Sequence, residues 1–201
     1  MNRRRKWMMY LGGLLTLSFG VVLMIKASMG IAPWDALNVA LEKHIGMSIG
    51  FWVFAVGSVL IVINGLIKQG MPNLLGFIPV IIIGLLIDGL NALLTGRIDI
   101  DSQFSGWFLF VAGLLILSCG IALYIRSSLP AVPNDEFMIE LSKRTGWSLA
   151  ITKTCGEGLA FCIAFLLNGP VGVGTLVVLC LLGVLIDVAS RIFDMIKIPK
   201  Y

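Results

Sequence analysis

Histidine is all but missing from this chain, with His44 the single example in 201 residues. No His-Glu-x-x-His run occurs and no cysteines cluster with a histidine, which closes the usual routes to a catalytic or structural metal site. Charge is scarce too. Asp, Glu, Lys and Arg make up 13% of the chain against 58% apolar residues, and the mean hydropathy of +0.99 leaves too little polar surface to cover a soluble domain. The four cysteines, Cys119, Cys155, Cys162 and Cys180, all fall inside apolar runs. They read as small reduced core residues and not as a disulfide framework. The glycine-rich stretch Gly169-Pro170-Val171-Gly172-Val173-Gly174-Thr175 follows no strand, so it reads as a tight turn and not as a phosphate-cradling loop. These absences predict no enzyme, no cofactor and no metal.

What the chain does have is a duplication. Residues 13 to 48 return as 113 to 148, with Gly13-Leu14-Leu15, Leu17-Ser18, Gly20, Leu23, Ile25, Ser28, Pro33, Asp35, Leu41, Lys43, Gly46 and Ser48 each finding its identical residue one hundred positions later. The match resumes one residue shorter, where Gly84 and Leu86-Ile87-Asp88 correspond to Gly183 and Leu185-Ile186-Asp187. Repeat one covers about 7–95 and repeat two about 105–196, within a single membrane domain over 1–201. Six runs reach the ~20 residues needed to cross ~30 Å of hydrocarbon. They are 7–27, 48–68, 73–95, 105–126, 148–168 and 174–196.

Between the first and second spans of each copy lies a shorter helical pattern, Pro33 to Ile45 and Pro133 to Thr145, opened by proline and closed by Gly46 or Gly146. Thirteen residues give only ~20 Å of helix, too short to cross. These segments are read as re-entrant or interfacial half-helices. Three crossings per copy then place the second copy upside down relative to the first. The predicted fold is an all-α polytopic membrane protein of six transmembrane helices, built as two inverted three-helix repeats, each with a half-helix.

Lysine and arginine set the orientation. With the amino terminus inside, the cytoplasmic segments hold Arg3, Arg4, Arg5, Lys6, Lys68, Arg126, Lys143, Arg144, Arg191, Lys197 and Lys200, against Lys26, Lys43 and Arg97 outside. Both termini are expected in the cytoplasm. Counting the half-helices as crossings leaves this split unchanged, so length and not charge decides the number of spans. The basic start resembles a secretory leader, but the first span matches the mid-chain fourth, so it is expected to stay in the mature protein. Basic residues spread over short loops imply contact with the lipid bilayer and no nucleic acid. Trp7, Trp107 and Trp147 sit at span ends, as interfacial anchors do. Small residues around Gly12, Gly20, Gly113 and Gly120 allow close helix packing within the chain or between chains, which leaves the oligomeric state open.

The candidate substrate- or ion-binding residues are charges with no easy path to water. Asp88 lies about two thirds along the third span and Asp187 at the matching place in the sixth. An aspartate near a span centre costs ~2.5 to 3.5 kcal/mol on insertion scales, tolerated where it meets a cavity or a partner. The bland reading gives each a helix terminus or hydroxyl to bond. Lys153 and Glu157 are spaced i,i+4 in the fifth span and replaced by Val53 and Gly57 in the first copy. The pair contacts substrate or protons, or is mutually neutralised with Lys153 reaching to the surface. Asp35 and Asp135 fall near the third position of the half-helices, where a carboxylate favours the positive end of the dipole. Ser28 and Ser128 open the linkers into these helices, chain breaks of the kind that line cavities at membrane depth.

The twin S-x-x-x-x-P-x-D segments, Gly46-Met47-Ser48 with Gly146-Trp147-Ser148, the Lys153-Thr154-x-x-Glu157 stretch and Gly172-Val173-Gly174-Thr175 ahead of Leu185-Ile186-Asp187 resemble the bacterial YczE/YyaS/YitT group of integral membrane proteins. The likeness covers nearly the whole chain. Pro130 where the first copy has Gly30, and Lys153 where the group has arginine, are departures. The resemblance implies a multi-pass protein of a bacterial plasma membrane and names no cargo. The architecture predicts a small-molecule secondary transporter working by alternating access. The alternatives are the substrate-binding membrane subunit of an ATP-driven importer, or a non-transport assembly or stress protein.

Overall fold

The computed structural model describes residues 3–98, 100–198 and 200. Among these, every regular element is helical: α1 Arg3–Ala27, α2 Pro33–Ile45, α3 Ile49–Lys68, a 3-10 turn at Leu74–Gly76, α4 Phe77–Leu94, α5 Gln103–Arg126, α6 Pro133–Thr145, α7 Leu149–Leu166 and α8 Val173–Met195. Six of them, α1, α3, α4 with its leading turn, α5, α7 and α8, are long and apolar enough to cross a membrane. The two short helices, α2 and α6, keep the bounds expected from their proline and glycine punctuation. Gly46 and Gly146 take φ of 89° and 74°, a left-handed turn that glycine adopts without steric cost. Ser48 and Ser148 then start the next helices alike, each Oγ accepting a backbone N–H three residues on, from Phe51 at 3.1 Å and Ile151 at 3.3 Å.

The chain forms two compact units, and each draws on both repeats. One comprises Met1–Ala32, Leu86–Leu129 and Pro170–Tyr201, the other Pro33–Leu85 and Pro130–Gly169. Helix α4 is divided between them.

In the first unit, α1 and α5 make the most intimate helix pair, and glycine is the reason. A Cβ at Gly13 would stand 2.5 Å from the Tyr124 nitrogen, one at Gly20 2.5 Å from the Leu117 nitrogen, and one at Gly113 2.8 Å from Met24 Cγ; Gly120 abuts the Leu17 backbone. As the α1 residue number rises from 13 to 24 its α5 partner falls from 124 to 113, so the two helices run antiparallel. Small residues let backbones approach closely where lipid gives helices no hydrophobic drive to associate. This places the glycine stripe inside the chain, and moves it by one position. Gly13, not Gly12, makes the close approach, since a methyl at Gly12 would meet only Leu123 Cδ2 at 3.9 Å.

Helix α8 packs on α5, and its amino-terminal end holds the linker after α1. The Gly174 N–H donates to the Met29 carbonyl at 2.8 Å, and the Ile31 N–H to the Pro170 carbonyl at 3.3 Å. The glycine-rich stretch expected as a simple turn therefore braces a chain break. Gly30, at φ 103°, leaves no room for a Cβ against Thr175 and Gly172.

In the second unit four helices close a ring: α2 packs on α3 and α7, and α6 packs on the same two. Exchanging the repeats leaves this pattern unchanged. The free thiols of Cys119, Cys155, Cys162 and Cys180 are all exposed on the protein surface. That corrects their expected place in the core. In a helix bathed by lipid the outward face is as apolar as the inward one, so an apolar run does not say which way a small residue turns.

Candidate functional site

Four of the eight residues singled out in the sequence come together in the four-helix ring. Helix α7 carries Glu157 against both half-helices, and Lys153, Asp35 of α2 and Asp135 of α6 all lie within electrostatic reach of its carboxylate. Three carboxylates thus share a neighbourhood with one ammonium. Lys153 is exposed and Glu157 half-buried, and no salt bridge joins them among the described residues. The pair expected on one helix face is there, but it is not closed on itself.

Several polar atoms in this ring are buried with no hydrogen-bond partner among the described residues: Glu157 Oε2, Asn38 Oδ1, Asn64 Oδ1 and Trp34 Nε1. Asn38 is 5% exposed and Asn64 2%. Asn38 follows Asp35 by three residues and Trp34 by four, which puts these side chains on one face of α2. Asn64, near the end of α3, donates from Nδ2 to the Pro133 carbonyl at 2.9 Å, fixing its amide at the first turn of α6, two residues before Asp135. Leaving a buried acceptor unpaired costs about 1–3 kcal/mol, so three of them in one ring form an environment set up for a donor.

Asp35 lies in α2, outside the six long helices, and burial pushes its carboxyl up to about 7. Asp35 and Asp135 both stand in the first turn of a half-helix, the position that favours a carboxylate through the helix dipole. Neighbouring polar groups are already occupied. Glu136 accepts from Asn73 Nδ2 at 3.1 Å, and Glu140 is paired with Lys143 at 2.8 Å.

The other four candidates belong to the first unit. Ser28 and Ser128 are exposed, with left-handed φ of 56° and 50°, and shape the chain at the ends of α1 and α5. Asp88 is half-buried while Asp187 is exposed, so their matching sequence positions do not become matching environments.

Asn38, Asn64 and Trp34 are not among the candidates that the sequence marks. The signal was present for Asn64, an amide inside an otherwise apolar span, since polar residues there bond across helices or line a site. For Asn38 and Trp34 nothing local distinguishes a buried position from the exposed side of a short amphipathic helix.

Residues 4–191 match the model of a family of unknown function, DUF6198. The chain belongs to this family. Among similar proteins, the uncharacterized protein YyaS of Bacillus subtilis is 34% identical over 192 residues, covering 94% of each chain. The uncharacterized membrane protein YczE of the same organism is 29% identical over 183 residues, 90% of this chain and 83% of its own. An uncharacterized protein of Haemophilus influenzae is 27% identical over 161 residues, 79% of this chain and 71% of its own. No solved structure matches. With its six apolar helices and a membrane protein among its relatives, this family member is a multi-pass membrane protein whose surroundings are the lipid bilayer.

Proposed function

We propose that the protein is a small-molecule secondary transporter of the bacterial plasma membrane, working by alternating access between two inverted repeats. The observation that carries the reading is the antiparallel pairing of α1 and α5, which are the same helix of the two sequence copies. Two copies of one unit running in opposite senses are what an odd number of crossings per copy produces. In such a pair, exchanging the conformations of the halves swaps the side to which a central site opens. The half-helices are re-entrant in this reading, because 13 residues are too few to cross and each packs against two long helices. Both termini are cytoplasmic, on the distribution of lysine and arginine. No catalytic step is assigned to the chain.

Single-cysteine labelling in a background lacking the four native cysteines tests the topology. Positions 28–46 and 128–146 are expected to label from opposite faces; labelling from one face removes the inverted arrangement. Uptake by proteoliposomes under an imposed proton or sodium gradient tests the activity. Co-purification with ATPase subunits, and no uptake without them, would assign the chain instead to an ATP-driven importer.

A further inference from the structure

We propose that the four-helix ring of α2, α3, α6 and α7 binds a small organic cation carrying N–H donors, an ammonium or guanidinium compound, between Glu157, Asp35, Asn38 and Asn64. Two independent features point the same way. The charge that acts on Glu157 is net negative, with the carboxylates of Asp35 and Asp135 outnumbering the Lys153 ammonium. The unpartnered buried atoms are mostly acceptors, the side-chain oxygens of Glu157, Asn38 and Asn64. A cation answers the first feature and only a hydrogen-bond donor answers the second. Quaternary ammonium compounds have charge without donors and fit half of the requirement.

An inorganic cation fits less well. Among the described residues no three carboxylate, histidine or cysteine side chains come close enough to ligate one metal ion. An anionic substrate would add to the negative charge already around Glu157. The indole of Trp34, on the same face of α2 as Asn38, offers an aromatic surface to a cation, and its unpartnered N–H can meet an acceptor elsewhere on the same molecule. Asn64 contributes position as well as an oxygen. Its amide is held by the Pro133 carbonyl, so the free Oδ1 is fixed and loses little freedom when a ligand docks. That the cation is cargo, and not a resident counter-ion, rests on the transporter reading; that it binds does not.

The full chain in lipid nanodiscs, at constant ionic strength and pH 8, is titrated with ammonium, methylammonium, guanidinium and 1,4-diaminobutane chlorides, with tetramethylammonium, sodium and magnesium chlorides and sodium acetate as comparisons. A bound ligand raises the unfolding temperature by mass action. Donor-bearing organic cations are expected to raise it in a saturable way, tetramethylammonium at least tenfold less effectively, and the inorganic salts and acetate not at all. Glu157→Gln and Asn38→Leu should each raise the half-saturating concentration tenfold or more, while Asp101→Asn, in a loop of the first unit, leaves it unchanged. No stabilisation by any organic cation, equal effects of guanidinium and tetramethylammonium, stabilisation by magnesium or sodium instead, or full response in a folded Glu157→Gln variant would each overturn the assignment. Should both variants fail to elute as folded protein, the comparison of guanidinium with tetramethylammonium on the unaltered chain decides alone. Flux separates the two readings. Binding without gradient-driven uptake of the bound cation keeps the site and removes the transporter, whereas uptake of other solutes without cation binding removes the site and keeps the transporter.

Discussion

Arg126 reaches Asp194 at 2.6 Å, and the same two places in the first repeat are filled by Lys26 and Thr95, joined at 2.9 Å. One contact is thus made twice with different chemistry, in each case tying the last turn of the first helix of a repeat to the end of its last helix. The Arg126 version is the stronger anchor. Its side chain is 3% exposed, donates also to the carbonyls of Ser190 and Ile198, and lies over the Phe193 ring. Asp194 is 67% exposed, so the ion pair itself is screened and worth little.

That asymmetry predicts unequal costs. Arg126→Met, which strands two carbonyl acceptors, should destabilise the protein by about 2 kcal/mol. Asp194→Asn should cost less than about 1 kcal/mol. Thermal unfolding of the two variants in the same detergent checks the order, and a larger loss in Asp194→Asn would contradict it.

The glycine contacts between α1 and α5 predict a sharp positional effect. Gly120→Val and Gly20→Val place a side chain against the facing backbone and should lower stability by about 3 kcal/mol or more, since neither helix can yield without losing the other close contacts. Gly12→Ala, one residue off the stripe, should change stability by less than about 0.5 kcal/mol. Equal tolerance at positions 12 and 20 would place the helix interface elsewhere.

Glu157→Gln should abolish uptake in proteoliposomes while leaving the amount of folded protein unchanged, because its carboxylate is the one presented to both half-helices. Lys153→Met should weaken uptake by much less. Full uptake in Glu157→Gln would remove this residue from the mechanism.

Asp35 gives the protein a pH dependence whose sign follows from proton counting. Its carboxyl titrates at about 7 in the folded chain and at about 3.8 when unperturbed, so between these values the folded state holds a proton that the unfolded state has released. Stability therefore falls as pH rises through this window and levels off above 7. Of the charged groups on the helices packed against α2, Glu157 of α7 lies within electrostatic reach of Asp35, α7 also carries Lys153, and α3 carries only Lys68, in its last turn. In Asp35→Asn the fall in melting temperature between pH 5 and pH 8 should shrink. Organic cations should bind more tightly at pH 8 than at pH 6, where Asp35 is neutral. A melting profile identical in wild type and Asp35→Asn would remove Asp35 as its source.

The exposure of the thiols is testable as well. Replacing Cys119, Cys155, Cys162 and Cys180 by alanine should each cost within about 0.5 kcal/mol, as for other surface changes. A loss of about 2 kcal/mol at any of them would return that cysteine to the core.

Much of the architecture can be read along the chain because it is set by short-range rules. Apolar length marks the six long helices, and proline and glycine bound α2 and α6 at Pro33–Ile45 and Pro133–Thr145. The hundred-residue periodicity reveals the duplication. The same rules could not choose between Gly12 and Gly13, since one residue turns a helix by only about 100° and both faces of a lipid-bathed helix are apolar. Nor could they separate Asp35, Asp135, Lys153 and Glu157, which meet in one unit, from Asp88, Asp187, Ser28 and Ser128, which belong to the other.

The sequence by itself determined which segments are helical, how many can cross the bilayer and that the unit is doubled, because hydropathy, capping and helix length depend on neighbours within a few residues. Only the tertiary structure decided that Asn64 holds the first turn of a half-helix 69 residues away, that α1 and α5 interlock through glycines, and that Asn38 and Glu157 are left with buried oxygens unpaired. A polar atom's partner is a matter of distance in space, and in a chain this apolar the path between two such atoms carries no local mark of where it will return.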